Sequence, residues 1–388
     1  MIVSRRHKKA ALRTRVIRRV EEIHPEAWLK VYPDILENYY FFKTLDESNL
    51  EQFSSYYILV YERKTLVGIA PCFLMDYSLD TTISGPLRRL SNSIKRFKPN
   101  IFSLRVFVCG VPIGQTHIGI ISDSDKILKA ILRRMDQIAK KKKAAIVAFK
   151  DFNQSYTKLL DPLQHLGFSR FDSLPSTEMN VWFKDFEEYL KTLSAASRYD
   201  LRRKFRKVDG HIKFDLEIVN TLDDHTLADV YRMYMEILSN HDMGFEILPI
   251  GFFKNISKNM PEFTKFFLWR VDGKLVAFVL CLVSDDTLID YYVGMDYSIA
   301  YKYHLYFVKF RDVMNWCIKH RIKRYEMGTT GYEPKRRLGF DFVPLYIYVK
   351  LRNRMLRPVF NLICQFLKFE HFDPALREAK RAHKHGKK

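Results

Sequence analysis

One stretch of this chain is written twice. The segment "LVYERKTLVGIAPCFL" at 59–74 aligns without gaps on "LWRVDGKLVAFVLCLV" at 268–283, and Leu59/Leu268, Leu66/Leu275, Val67/Val276 and Cys72/Cys281 coincide. In both, an apolar run meets a short charged turn, "ERKT" or "DGK", and a second apolar run follows, which is the pattern of a β-hairpin. A duplicated unit narrows the architectures open to the chain, because each copy has its own core to bury. With 388 residues there is length enough for two such cores.

The elements after each hairpin keep the same order. The first copy continues through a strand, "LRVFVCG" (104–110), a helix, "DKILKAILRRMDQIAKKKK" (125–143), and a strand, "AAIVAFKDF" (144–152). It ends with Leu166-Gly167-Phe168 and a closing strand, "TEMNVWF". The second copy gives "TLIDYYVG" (287–294), "LYFVKFRDVMNWCIKHR" (305–321), "KRYEMG" (323–328), Leu338-Gly339-Phe340 and "PLYIYVKL". Apolar positions such as Ile127, Ile131 and Met135, and Phe307, Phe310, Met314 and Cys317, recur at helical spacing.

Hairpin, strand, helix, strand, Leu-Gly-Phe turn and closing strand is the order of the Gcn5-related N-acetyltransferase (GNAT) fold, and two copies in tandem resemble the Fem family of acyltransferases. The segment "YLKTLSAASRYDLRRKFRKVDG" (189–210) is similar to the stretch that opens the second half of Fem-like and CelD-like proteins. The resemblance covers roughly residues 25–350 and reaches motif level in "SRYDLRRKFRK" and "YEMGTTGYEPKRRLG". It implies an α/β (α+β) protein of two GNAT-like domains, each a mixed central sheet flanked by helices. The expected boundaries are a basic arm at 1–24, domains at 25–185 and 186–350, and an amphipathic helix with a basic tail at 351–388.

Lys335 is the residue that most invites a functional reading. The two Leu-Gly-Phe turns have a structural explanation, glycine permitting a turn closed to other residues. Lys335 has no such twin, since the fourth residue before Gly167 is Leu163. In the Fem family a lysine four residues before a glycine lies in the acyl-transfer cleft, and Lys335 to Gly339 matches that spacing while Pro334 replaces the family's aromatic. By resemblance, Lys335 stabilises the oxyanion of a tetrahedral intermediate or the leaving oxygen of an activated ester. The bland alternative is a solvent-exposed lysine beside Arg336 and Arg337. Glu326, in "YEMG", is a candidate base for an attacking amine, or an acid paired with a neighbouring arginine. Asp290, Tyr291 and Tyr292 fall on the strand where GNAT enzymes splay their sheet, and only alternate residues can line one face.

The donor is less legible. GNAT enzymes hold the coenzyme A pyrophosphate on a glycine-rich loop opening a helix, yet the loop here, "MDYSIAYKYH" (295–304), has no glycine, and "GQTHIG" (114–119) has the wrong spacing. An acyl-CoA or an aminoacyl-tRNA donor both stay open. Arg198, Arg202 and Arg206 fall on one helical face in a cationic stretch interleaved with Tyr199 and Phe205, suited to phosphate contact or merely to the wet side of a packed helix. The expected substrate contacts are therefore Arg198, Arg202, Arg206, Tyr292, Gly328 and Tyr332.

Net charge is +21, concentrated at the ends: residues 1–20 carry eight Arg/Lys and no acid, and residues 377–388 carry six with one Glu. Such ends are solvated arms or contacts for RNA or an anionic membrane. The segment "LRNRMLRPVFNLICQFLKF" (351–369) is amphipathic, and packing on the second domain is the expectation, with peripheral contact at the inner face of a membrane as the alternative. Five scattered cysteines in apolar runs point to buried thiols in a reducing compartment, with no metal implied. The sequence thus leads to a cytoplasmic N-acyltransferase that moves an acyl or aminoacyl group to a small-molecule or lipid-linked amine. Its competitor is a non-catalytic GNAT-fold protein holding RNA or anionic lipid on a basic surface.

Overall fold

The computed structural model describes residues 11–78, 103–239, 246–366 and 376. Two compact units emerge, Met1–Asp46 with Glu51–Phe171 and Tyr346–Leu362, and Glu47–Leu50 with Asp172–Leu345 and Ile363–Lys388.

The first unit is built on β1 (Leu12–Ile17), β2 (Ser54–Glu62), β3 (Thr65–Ser78), β4 (Ser103–Cys109), β5 (Gly119–Ile120), β6 (Ile146–Asn153) and β7 (Ser169–Asp172). Against this sheet lies the helix Ser124–Lys141, whose Ile127, Ile131 and Met135 are fully buried and whose first turn is capped by the Asp123 carboxylate accepting from Lys126 N. The second unit contains β8 (Ser176–Asn180), β9 (Asp215–Val219), β10 (Thr264–Val271), β11 (Lys274–Val283), β12 (Thr287–Met295), β13 (Arg324–Glu326) and β14 (Asp341–Val343). Its helix Leu305–Lys319 buries Leu305, Val308, Phe310, Val313 and Cys317 in the core.

The duplication holds to the level of single hydrogen-bonded rungs. Leu59 faces Ile69 in the first hairpin and Leu268 faces Phe278 in the second, and both hairpins slip register at the same place, after Val60 and after Trp269. The Leu-Gly-Phe turns are likewise equivalent: Gly167 and Gly339 have φ of +84° and +82°, a backbone conformation that asks for glycine. Each opens a short strand, β7 or β14.

The closing strands depart from expectation. The order in the first sheet is β1-β2-β3-β4-β6-β15-β7, where β15 is Leu345–Leu351, and in the second it is β14-β8-β13-β12-β11-β10-β9. Each half was expected to end in its own strand; instead "TEMN" of the first half is β8 of the second sheet, and the last strand of the second half lies between β6 and β7. The physical reason is visible in Tyr348, fully buried in the first core with its hydroxyl donating 2.8 Å to Asp161. Periodicity marks a strand but carries no information on which sheet it joins.

The ends also differ from the sequence reading. β1 begins at Leu12 and pairs antiparallel with β2, so the segment taken as a basic arm contributes an edge strand. Beyond β15 a helix runs Arg357–Phe366 with Leu362 exposed, and the remainder of the expected amphipathic segment and the basic tail lie outside the described residues, as do residues 1–10. No described helix is long and apolar enough to cross a membrane.

Candidate active site

β12 and β13 run parallel for three rungs only, Thr287–Arg324, Leu288–Tyr325 and Ile289–Glu326, and then part. In the first unit the equivalent pair, β4 and β6, stays together one rung further, to Cys109–Phe149. On its other side β12 carries a bulge at Tyr291, since Cys281 faces Asp290 while Leu280 faces Tyr292. Parting strands and a bulge together open the second sheet at Asp290.

At those rungs the side chains are polar in the second unit and apolar in the first, and strand alternation sends Asp290 and Glu326 to opposite faces of the sheet. Asp290 stands where Cys109 stands, because each is the cross-strand partner of the repeated cysteine, Cys281 or Cys72. By the same register Glu326 takes the place of Ala148 and Tyr325 that of Val147. The Asp290 carboxylate receives the Lys309 ammonium at 2.5 Å and the Tyr325 hydroxyl at 3.4 Å, with both charged side chains buried. Burial pushes the hydroxyl of Tyr325 and the thiols of Cys281 and Cys317 far up, so these neighbours stay neutral.

Glu326 ends β13, buried except for a rim where Arg324 pairs with it at 3.1 Å. Lys335 is not the exposed lysine of a basic turn. It is 6 % exposed and donates to the carbonyls of Met327 at 2.6 Å, Gly328 at 3.2 Å and Thr329 at 3.3 Å. Those contacts occupy all three ammonium hydrogens. Positive φ at Gly328, Thr330 and Gly331 folds the loop so that its carbonyls converge. Burial draws the Lys335 pKa down to about 7, with Asp290 favouring the charged form and Lys309 opposing it.

The remaining predicted contacts fall in three places. Gly328 belongs to the lysine-binding loop, and its carbonyl also accepts from Thr177 N and Oγ1. Tyr292, on β12 past the bulge, is half-buried and donates to Glu246 at 3.2 Å. Tyr332 packs on Phe342 and Leu376 and gives its hydroxyl to the Pro175 carbonyl, which makes it part of the scaffold that holds the helix Tyr332–Arg337. Arg198, Arg202 and Arg206 share one face of the helix Ala195–Asp209 and line a groove of about 670 Å³ with Tyr199, Phe205 and Arg311. Two of these four guanidiniums are already paired, Arg202 with Glu187 and Arg311 with Asp209. Lys335 and Glu326 do not line this groove.

Sequence reading missed Lys309. Its signal was present: Lys309 lies at helical spacing between Leu305 and Val313, on the face that is otherwise apolar. The Tyr306 hydroxyl nearby is buried with no hydrogen-bond partner among the described residues. The glycine-free loop 295–304 forms a short helix, Tyr297–Ala300, and His304 at φ +49° leads into the helix Leu305–Lys319. Among the described residues no group of three His, Cys, Asp or Glu side chains gathers as a metal site.

A family model, FemAB-like, described as peptidoglycan biosynthesis/recognition, matches residues 19–381. No curated protein matches the chain by sequence. Among solved structures, the crystal structure of FemX superposes with a TM-score of 0.55 at 13 % identity, covering 90 % of this chain and 99 % of that one. A tandem GNAT protein from the clavulanic acid biosynthesis pathway gives 0.52 at 8 % identity, covering 87 % and 98 %. L-PGS from Bacillus licheniformis gives 0.50 at 12 % identity, covering 80 % and 88 %. These likenesses show the fold, two GNAT-like domains in tandem.

Proposed function

The chain belongs to the FemAB-like family, and from that premise we propose that it is a transferase moving an acyl or aminoacyl group from an activated donor to an amine, in cell-envelope or lipid-linked metabolism. One observation carries the reading: where the central strands part, the second unit places Glu326, Asp290 and, through the following loop, Lys335, while the first places Ala148 and Cys109 at the equivalent rungs. Buried charge is costly, and the first copy carries none at those two rungs.

In this reading the amine nitrogen attacks the donor carbonyl, a C–N bond forms, and the carbonyl oxygen becomes an oxyanion. Glu326 accepts the amine proton as the C–N bond forms. Collapse breaks the bond to the leaving group, a thiol for acyl-CoA or a ribose hydroxyl for aminoacyl-tRNA, which leaves carrying the proton that the amine gave up. With its hydrogens held by three carbonyls, Lys335 acts on the oxyanion as a charge through space, or by exchanging its longest contact, that to Thr329. Positioning of the two substrates supplies much of the rest. The arginine-lined groove suits the phosphates that either donor, or a lipid-linked or nucleotide-linked acceptor, would bring.

The test is an acyl-transfer assay with acetyl-CoA, a long-chain acyl-CoA and charged tRNA as donors against amine acceptors. Turnover with one donor, reduced roughly 10²–10³-fold in Lys335→Met with substrate binding retained, supports the reading. Undiminished turnover in Lys335→Met and Glu326→Gln would remove both residues from the chemistry.

A further inference from the structure

The Asp290–Lys309 pair has no counterpart in the first unit, whose fold needs nothing charged at that rung. A buried ion pair is weak evidence of stabilisation, since the desolvation of both partners offsets their attraction. Its place is informative instead. Asp290 is the first residue of β12 beyond the last rung shared with β13, and Met327 is the first residue after β13 ends at that rung. The Met327 carbonyl holds Lys335 and the Tyr325 hydroxyl, two residues earlier, holds Asp290. A continuous path thus runs from Lys309 to Asp290, Tyr325, Met327 and Lys335.

We propose that Asp290 and Lys309 are positioning residues for Lys335: the pair sets the charge that this lysine carries where the strands part. The inference rests on the transferase reading for its functional meaning, though the electrostatic relation stands without it. The groups around the pair are Cys281 from β11, Tyr306 and Cys317 from the helix Leu305–Lys319, and Tyr325 from β13. All four stay neutral, since burial raises each. Around Lys335 stand Tyr332, buried on the same helix, and Glu333, which is engaged by Arg336 and Arg337. Glu326 is paired with Arg324 at the rim and faces Glu178 across to β8. Asp290 and Lys309 are therefore the charges inside this cluster that act on Lys335, with opposite signs.

The signs follow directly. Neutralising Asp290 removes the charge that favours the ammonium, so Lys335 should lose its proton at lower pH. Removing the Lys309 ammonium should have the opposite effect, and removing both should nearly cancel. The experiment is an NMR titration of the intact protein carrying ¹³C-labelled lysine, with the Lys335 Cε signal identified by its loss in Lys335→Arg. Expected is a midpoint lowered by about one pH unit, roughly tenfold in acidity, in Asp290→Asn, raised by a similar amount in Lys309→Met, and near the parent in the double variant. Should Asp290→Asn fail to fold, Lys309→Met and the double variant decide. An unchanged midpoint in a folded single variant, or a double variant whose midpoint moves as far as a single variant's, overturns the proposal. No substrate enters this measurement, so midpoints that move in a protein without transferase activity sink the proposed function and leave this inference standing. Turnover by a protein whose Lys335 ignores the pair does the reverse.

Discussion

Asp290 occupies in the second sheet the rung that Cys109 occupies in the first, each facing the cysteine that the repeat preserves. One scaffold therefore accepts at this rung either a thiol or a buried carboxylate with its own ammonium. Replacing Asp290 alone leaves Lys309 buried without its anion, and a loss of about 3–5 kcal/mol is expected for Asp290→Cys. The double variant Asp290→Cys/Lys309→Met removes both charges and should recover most of that loss or exceed the parent stability. Urea denaturation of the four proteins of this cycle gives the coupling. Additive single effects would mean that the pair is not an energetic unit.

Lys335 makes a pH-dependent contribution whose sign is fixed by its direction of shift. In the unfolded chain a lysine titrates near 10.5, and in the folded protein burial draws Lys335 down to about 7. Between those values the unfolded state binds the extra proton, so stability should rise with pH from about 7 toward 10 and be lost as pH falls through that window. The limit is about 1.4 kcal/mol per pH unit, and the three carbonyls that support the ammonium reduce it. Lys335→Met should lower the slope relative to the parent between pH 7.5 and about 9.5, the opposing contribution of the buried thiols of Cys72, Cys281 and Cys317 being common to both proteins. Denaturation midpoints at several pH values check this, and parallel slopes in the two proteins would count against it.

How far the sequence revealed this protein depends on whether the information was local. The hairpins, the two Leu-Gly-Phe turns and the helices Ser124–Lys141 and Leu305–Lys319 follow from alternation, turn residues and helical spacing, all readable within a short window. The partnership of β15 with β6 and β7 is a choice between two similar sheets, and nothing in "PLYIYVKL" encodes it. At the site, Lys335 stood out because only one copy has it. Lys309 did not, because a lysine in a helix reads as solvated until its face is known to be inside. That Lys335 spends its hydrogens on Met327, Gly328 and Thr329 depends on φ values in the loop, which sequence spacing does not supply.

In the arginine-lined groove the compensated guanidiniums and the others should behave differently. Arg202 and Arg311 already face Glu187 and Asp209, whereas the Arg198 guanidinium donates to the Lys191 and Leu193 carbonyls and meets no carboxylate among the described residues. Arg206 is exposed on the same face. If the groove takes polyphosphate or tRNA, Arg206→Ala should weaken binding and lower the salt slope by about one counterion. Glu187→Gln should tighten binding by releasing Arg202. Titrations of tRNA and of a nucleoside diphosphate at several salt concentrations read both effects, and a slope that none of these substitutions alters would place the phosphates elsewhere.

The exchange of closing strands makes an unusual demand on truncations and point variants. Although Tyr348 comes from the second half of the chain, its ring is buried in the first core and its hydroxyl holds Asp161. Tyr348→Ala should therefore cost about 3–5 kcal/mol, and the loss should be felt in the first unit. A chain ending at residue 344 lacks β15, leaving β6 and β7 without the strand that joins them. Its first sheet should exchange amide hydrogens rapidly around β6 and β7, while β10–β12 of the second sheet stay protected. Hydrogen exchange read by mass spectrometry separates the two units. Protection lost from β10–β12 rather than from β6 and β7 would show that the strand stabilises the sheet of its own half, contrary to the topology.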